Sequence, residues 1–290
     1  MENKSLSSVI YNPSSIAEAF DILDEEGNSE FWAGGTTFTH TDNSSEYLYL
    51  PKVAISLKGI SELEKLSKNE TYVDIGSTMT LDRLSMVGKN KLPASLHAAL
   101  LKIGTKALRS RATLGGHLAM KNRIGDLMPV LMLHEARIEI KYLRERSGFK
   151  KPVISTKKIP VAGILENNGL LKGELISQIS IPLNSWNVSE YRKIQPDTAK
   201  KRTLIFSAVA RVEKEILSEW RLAVSDGNKV YREREMELAF NGHTLPLNTK
   251  ELQNLKIFIN KLTENFNYEY EKETIFRLTR RFLLKAAYLS

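Results

Sequence analysis

Two glycine pairs constrain this chain more than any other feature. The first lies in Trp32-Ala33-Gly34-Gly35-Thr36-Thr37, straight after a short apolar approach. The second lies in Arg111-Ala112-Thr113-Leu114-Gly115-Gly116-His117. Adjacent glycines free the backbone from Cβ sterics, so the chain can turn sharply and bring its N–H groups close to a ligand. Successive N–H groups pointing one way form a concave anion site without any positive side chain. Thr113 adds a hydroxyl donor. Asp126, ten residues after Gly116, opens the apolar run Leu127 to Leu133, which leads back into the core. Two strand-to-turn cradles in one chain point to a ligand with more than one phosphate. For either pair alone, an ordinary tight turn between strands is the competing explanation.

Composition narrows the function classes. The chain has 290 residues, enough for one large or two modest domains, and 42% hydrophobic with 26% charged residues is ordinary for a globular protein. It has no cysteine, which rules out disulfides, thiolate nucleophiles and an iron–sulfur cluster held by this chain. No apolar run approaches the length of a membrane span, and the N-terminus lacks the basic-then-apolar layout of a secretory signal, so a cytoplasmic location is expected. The net charge of +8 is spread out, with short knots at Lys150-Lys151, Lys157-Lys158 and Lys200-Lys201-Arg202. Without aromatic interleaving or a nucleic-acid motif, these read as solvated lysines or a surface for an acidic partner. There is no G-x-G-x-x-G fingerprint, no P-loop, no H-E-x-x-H and no G-x-S-x-G elbow. His40, His134 and His243 have no catalytic or metal-ligating company in sequence and read as structural.

Along the chain, Ser14 or Ser15 can cap a helix carrying Ile16, Ala19, Phe20 and Leu23, with Glu18 placed for a capping box. Phe31 to Ala33 is a short strand, and strand pieces follow around Tyr47 to Leu57, broken at Pro51. Thr71 to Gly76 is a strand, and Thr80 caps a helix from Leu81 to Met86. An amphipathic helix lies within Pro93 to Leu108, ending near Gly104. Ala136 to Tyr142 alternates as a half-buried strand. Lys150 to Lys158 reads as a basic loop, and Ile154 to Leu165, with Pro160, as irregular. Glu174 to Leu183 is a strand ending at Pro182. Beyond a polar link, Tyr191 to Ile194, Leu204 to Val212 and Trp220 to Ser225 are strands, followed by helices after Asn248 and around Ile275 to Leu283.

The combination of Ala33-Gly34-Gly35-Thr36, Ile75-Gly76-Ser77-Thr78-Met79-Thr80-Leu81, Arg111-Ala112-Thr113-Leu114-Gly115-Gly116 and the Gly125-Asp126 pair resembles the FAD-binding medium subunit of the xanthine dehydrogenase and carbon monoxide dehydrogenase family of molybdenum hydroxylases. The resemblance runs from Tyr11-Asn12-Pro13 to the C-terminal helix. It implies an α+β fold: a two-subdomain PCMH-type FAD-binding domain over residues 1–185 (subdomains about 1–58 and 59–185, with FAD between them), then a C-terminal domain, residues 189–290, with a three-stranded sheet and helices. It also implies that Ala33, Gly34, Gly35, Thr36 and Thr37 wrap the FAD pyrophosphate with backbone N–H groups. Thr113, Gly115, Gly116 and His117 would contact FAD, Asp126 would bind a ribose or a polar group near the ring, and Lys193, beside Tyr191, would reach the flavin ring.

The same resemblance implies a molybdopterin-containing large subunit and a [2Fe-2S] small subunit as partners, with NAD+ as electron acceptor and xanthine or a similar heterocycle as substrate of the complex. The chain departs from the family pattern at His117, where asparagine is usual, and at Met120-Lys121-Asn122-Arg123, where small residues are usual. Lys121 and Arg123 would either raise the flavin potential or face solvent. These departures motivate an alternative, a flavin-free structural or assembly subunit. A stand-alone FAD oxidoreductase is a third reading.

Overall fold

In the computed structural model, the described residues are 8–36, 51–88, 90–120, 124–145, 147–148, 151–166, 169–195, 203–266 and 268–289. They divide into two compact units. The first contains residues 1–88, 104–121 and 136–182; the second contains 89–103, 122–135 and 183–290. The boundary at 182/183 lies close to the break expected after residue 185, but two shorter segments, 89–103 and 122–135, also belong to the second unit. Each carries one apolar helix whose burial is provided there.

The first unit holds two sheets. Strands β1 (Val9–Tyr11), β2 (Ser29–Trp32) and β3 (Val53–Ser56) form a parallel sheet in the order β1-β3-β2. Helix α1 (Ile16–Glu26) makes the crossover from β1 to β2. Ser15 caps it by accepting from the Glu18 N–H at 3.2 Å, while the Glu18 carboxylate takes the N–H and hydroxyl of Ser14, each at 2.7 Å. Its apolar face, Ile16, Ala19, Phe20 and Leu23, packs with Ile55, Leu57, Ile60 and Leu63. The helix stops at Gly27, whose φ of +58° suits glycine.

The second sheet is antiparallel, in the order β4-β5-β8-β6-β7, from β4 (Leu66–Lys68), β5 (Tyr72–Gly76), β6 (Arg137–Arg144), β7 (Val153–Pro160) and β8 (Leu175–Pro182). Here the sequence reading needs correction. The stretch read as a basic loop and then as irregular is largely β7, which pairs with β6 from Val153 opposite Arg144 to Pro160 opposite Arg137. At a sheet edge the strand need not bury either face fully, so lysines and a terminal proline are tolerated. Short helices α2 (Leu81–Val87), α4 (Lys106–Arg109), α5 (Leu114–Leu118) and α7 (Gly163–Glu166) complete the unit. Thr80 caps α2 as expected, its oxygen accepting from the Arg83 N–H at 3.3 Å.

In the second unit β9 (Val188–Ile194), β10 (Leu204–Glu213), β11 (Ile216–Ser225) and β12 (Val230–Tyr231) form an antiparallel sheet, ordered β12-β11-β10-β9. The three expected strands are present, and the two-residue β12 extends them past the Asp226-Gly227-Asn228 turn. One face packs on α8 (Arg234–Phe240), α9 (Thr249–Leu262) and α10 (Glu269–Tyr288). The other receives α3 (Ala94–Leu100) and α6 (Met128–Leu133). Covering on both faces explains why β10 reads as a nearly unbroken apolar run. Two arginines close the end of α6: Arg232 donates to the Met132 carbonyl at 3.1 Å and Arg221 to that of Leu133 at 2.8 Å. Arg232 is held in turn by two 2.8 Å bonds to the Glu237 carboxylate. Among the described residues, no helix is long and apolar enough to cross a membrane.

Candidate functional site

A cavity of about 540 Å³ lies in the first unit, between its two sheets. The parallel sheet contributes the end of β2 and the first glycine turn, with Ala33, Gly34, Gly35 and Thr36 in the wall. The other side contributes Ser77, Thr113, Gly115 and Gly116. Seven of the sequence-predicted site residues therefore share one cleft. Thr37 falls outside the described residues, as do His40, Lys121 and Arg123.

The two glycine turns are not equivalent. At Gly34 a Cβ would sit 1.9 Å from the Arg111 carbonyl oxygen, so the backbone approaches where only glycine fits. At Gly35 φ is +66°, and a Cβ would meet the Trp32 indole at 2.8 Å. The N–H groups of Gly34 and Gly35 make no hydrogen bond among the described residues. Among the described residues these donors in the cavity wall remain available to an anion.

The second pair is not a turn, as the sequence suggested: Gly115 and Gly116 lie in helix α5, and the donors there are already used. Leu114 N–H goes to the Met79 carbonyl at 3.0 Å and Gly115 N–H to that of Ser77 at 2.8 Å. Gly116 N–H goes to the Thr113 hydroxyl oxygen at 3.1 Å, and His117 N–H to the Thr113 carbonyl at 2.9 Å. Thr113 is thus the N-cap of α5. The second pair builds a smooth wall: a Cβ on Gly115 would strike Ser77 Cβ at 2.6 Å. The Ser77 hydroxyl is buried without a partner among the described residues. His117 sits on α5 and is not among the residues lining the cavity.

Asp126 and Lys193 belong to the second unit, where the structure pairs them with each other. Lys193 Nζ lies 2.6 Å from Asp126 Oδ2, and both side chains are more than four-fifths buried. Tyr191, two residues before Lys193 on β9, has its hydroxyl buried and without a partner among the described residues. Burial, and then the charge of Asp126, push the phenol above its ordinary pKa. His134 is also structural. It is buried, and its Nε2 shares a 2.7 Å hydrogen bond with the Ser95 hydroxyl. Burial, assisted by Arg221, lowers its pKa to about 4, so it stays neutral.

Part of the wall was missed in the sequence. The loop from Leu170 to Glu174 borders the cavity together with Leu23 and Ser29. Its signal was the pair Gly169 and Gly173, four residues apart ahead of an apolar strand, which the structure holds at φ +111° and +81°.

The family described as the FAD binding domain in molybdopterin dehydrogenase matches residues 4–184, well over half of the chain. The chain belongs to this family. The nicotine 6-hydroxylase medium subunit of Paenarthrobacter nicotinovorans is 27% identical over 241 residues, 81% of this chain and 80% of that one. In fold, the chain matches a structure of quinoline 2-oxidoreductase from Pseudomonas putida 86 with a TM-score of 0.77 at 17% identity, covering 97% of both chains. It matches a carbon monoxide dehydrogenase structure from Hydrogenophaga pseudoflava with a TM-score of 0.76 at 19% identity, also covering 97% of both.

FAD is the cofactor of this family, and the cavity fits it. The two open N–H groups at Gly34 and Gly35 suit a pyrophosphate. The apolar walls suit flat rings. The chain is therefore an FAD-binding member of an oxidoreductase family, with an α+β fold.

Proposed function

We propose that this chain is the FAD-carrying electron-transfer subunit of a molybdenum hydroxylase complex. It would take electrons that originate at a molybdopterin-containing large subunit, receive them through a [2Fe-2S] small subunit, and deliver them to NAD+ in the cytoplasm. The observation that carries the reading is the first glycine turn, with two backbone donors open in a cavity of dinucleotide scale. The absence of cysteine supports the division of labour, since any iron–sulfur cluster must sit in another chain. Bound FAD would supply the conversion between one-electron donors and a two-electron acceptor.

The chain's own residues bind and orient. Gly34 and Gly35 would hold the pyrophosphate; Ala33 and Thr36 would extend that cradle, and Thr113, Gly115 and Gly116 would form the facing wall. Asp126 and Lys193, charge-paired with each other, would be further FAD contacts. No side chain of this chain is assigned as an acid or base. His117, which motivates a flavin-free reading, does not line the cavity, so the change from asparagine leaves the cradle intact. The relatives' names span nicotine, quinoline and carbon monoxide. That range favours substrate selection in another chain, and nothing in this one singles out xanthine.

The test is the visible absorption spectrum of the purified chain, followed by release and chromatographic identification of the pigment. Stoichiometric FAD is expected, and the chemically reduced protein is expected to form NADH from NAD+. A colourless protein that refuses added FAD would overturn the reading. Bound FAD with no NADH formed would remove only the acceptor.

A further inference from the structure

The last helix carries a face that flavin binding does not use. α10 buries Ile275, Phe282, Leu283 and Ala286 in the core of the second unit. Arg277, Arg281, Leu284 and Tyr288 recur at spacings of four, three and four, which puts them in one stripe on the opposite side. All four are exposed, as are Arg280 and Lys285 beside them. From Arg277 to its end the helix holds four cations and no acid.

Its own unit does not neutralise this charge. Glu273 takes Arg277 at 3.0 Å but also lies 3.7 Å from Lys256, and the buried Glu190 takes both Arg281 and Arg192. Arg280 and Lys285 have no ion pair among the described residues. Toward the end of the stripe the charge gives way to apolar surface: Leu284, Tyr288 and Leu289 are all exposed, Tyr288 by 79%. One exposed leucine means little. Three large apolar side chains within two turns, beside arginines and without acids, have the composition of a protein interface. The helix is already fixed by its ion pair to β9 and its packing on β10 and α9, so little order is lost on binding. Charge selects the occupant. A second copy of this chain would bring like charges together. A polyphosphate backbone would satisfy the cations and leave the leucines wet.

We propose that the solvent face of α10, from Arg277 to Leu289, is a docking surface for a different protein chain that presents carboxylates around an apolar patch. The assay rests on the complex proposed above, in which such a chain is a partner subunit, and its arms separate the two. The chain is mixed with the large and small subunits of that complex. The Kd of assembly is measured at low and high salt, and FAD content and Tm are recorded for each variant. Arg280→Glu with Lys285→Glu reverses charge; Leu284→Ala with Tyr288→Ala removes apolar surface. Lys214→Glu with Lys229→Glu is the control, changing the net charge equally in the exposed turns on either side of β11.

The charge variant should weaken assembly by about tenfold at low salt and flatten its salt dependence. The apolar variant should weaken it at both salts, with the salt dependence kept. The control should assemble as wild type, and FAD content and Tm should be unchanged in all three. If both α10 variants assemble as wild type does, or the control weakens assembly as much as the charge variant, the inference falls while the complex stands. Wild-type binding to a DNA duplex or to anionic phospholipid vesicles, lost in the charge variant while assembly is kept, would also overturn it. A wild-type chain that assembles with neither subunit overturns the complex, and this surface with it.

Discussion

Replacing Gly34 by alanine should abolish tight FAD binding, and the size of the effect follows from the structure. The added Cβ would lie 1.9 Å from the Arg111 carbonyl oxygen, against the 3.4 Å at which ordinary contact begins. The turn must therefore move by about 1.5 Å, because the obstacle is backbone rather than a flexible side chain. Overpacking of this kind costs about 1–3 kcal/mol of stability. The displacement also carries the Gly34 and Gly35 N–H groups away from the pyrophosphate. Hydrogen bonds to a charged group contribute about 1.5–3 kcal/mol each, so two of them amount to roughly a hundredfold to ten-thousandfold in Kd. The assay is fluorescence titration of apoprotein with FAD, alongside Tm. Gly148→Ala is the reference: its φ is +83°, with nothing within 4 Å, so it should lose stability without losing FAD. A folded Gly34→Ala protein with wild-type FAD affinity would refute the cradle.

Gly116→Val should also lose FAD, measured by the same titration, but through a different cause from Gly34. Its backbone is helical and its N–H is held by Thr113, so the turn does not resist; the β-branched side chain instead fills cavity wall and presses on the Thr113 hydroxyl, which a Cβ meets at 2.9 Å. His117→Asn should leave FAD affinity unchanged, since His117 does not line the cavity; a large loss would make the histidine a ligand. His134 predicts an acid-sensitive second unit. Its folded pKa of about 4 lies below the ordinary 6.5, so below pH 6.5 the unfolded chain binds a proton that the folded one refuses. Stability is thus intact above pH 6.5 and falls toward pH 4, by about 3 kcal/mol in full. Urea denaturation at several pH values should show this arm flattened in His134→Gln, and an unchanged slope would contradict it. Asp126→Asn should destabilise by about 3 kcal/mol by leaving Lys193 mostly buried without its counter-charge. Asp126→Asn combined with Lys193→Met should recover much of that in the same denaturation assay.

What the sequence determined by itself was local or compositional. Ser15, Thr80 and Asn248 cap the helices they precede, because a cap needs only a hydroxyl or amide and the next three residues. The first glycine pair marked a turn, whereas the second opened helix α5, and the lack of cysteine removed whole classes of chemistry. Tertiary structure decided everything that depends on which distant atoms meet. Whether a glycine pair offers its N–H groups or spends them depends on neighbours from elsewhere in the chain: Met79 and Ser77 consume donors at the second pair, while among the described residues the first keeps its own. Asp126 and Lys193 are 67 residues apart and read as separate ligand contacts until the fold joined them. The Lys157-Lys158 stretch became an edge strand because β6 lay beside it. Sequence carries the conformational preferences of a few residues at a time, whereas desolvation and hydrogen-bond satisfaction are settled among groups brought together only by folding.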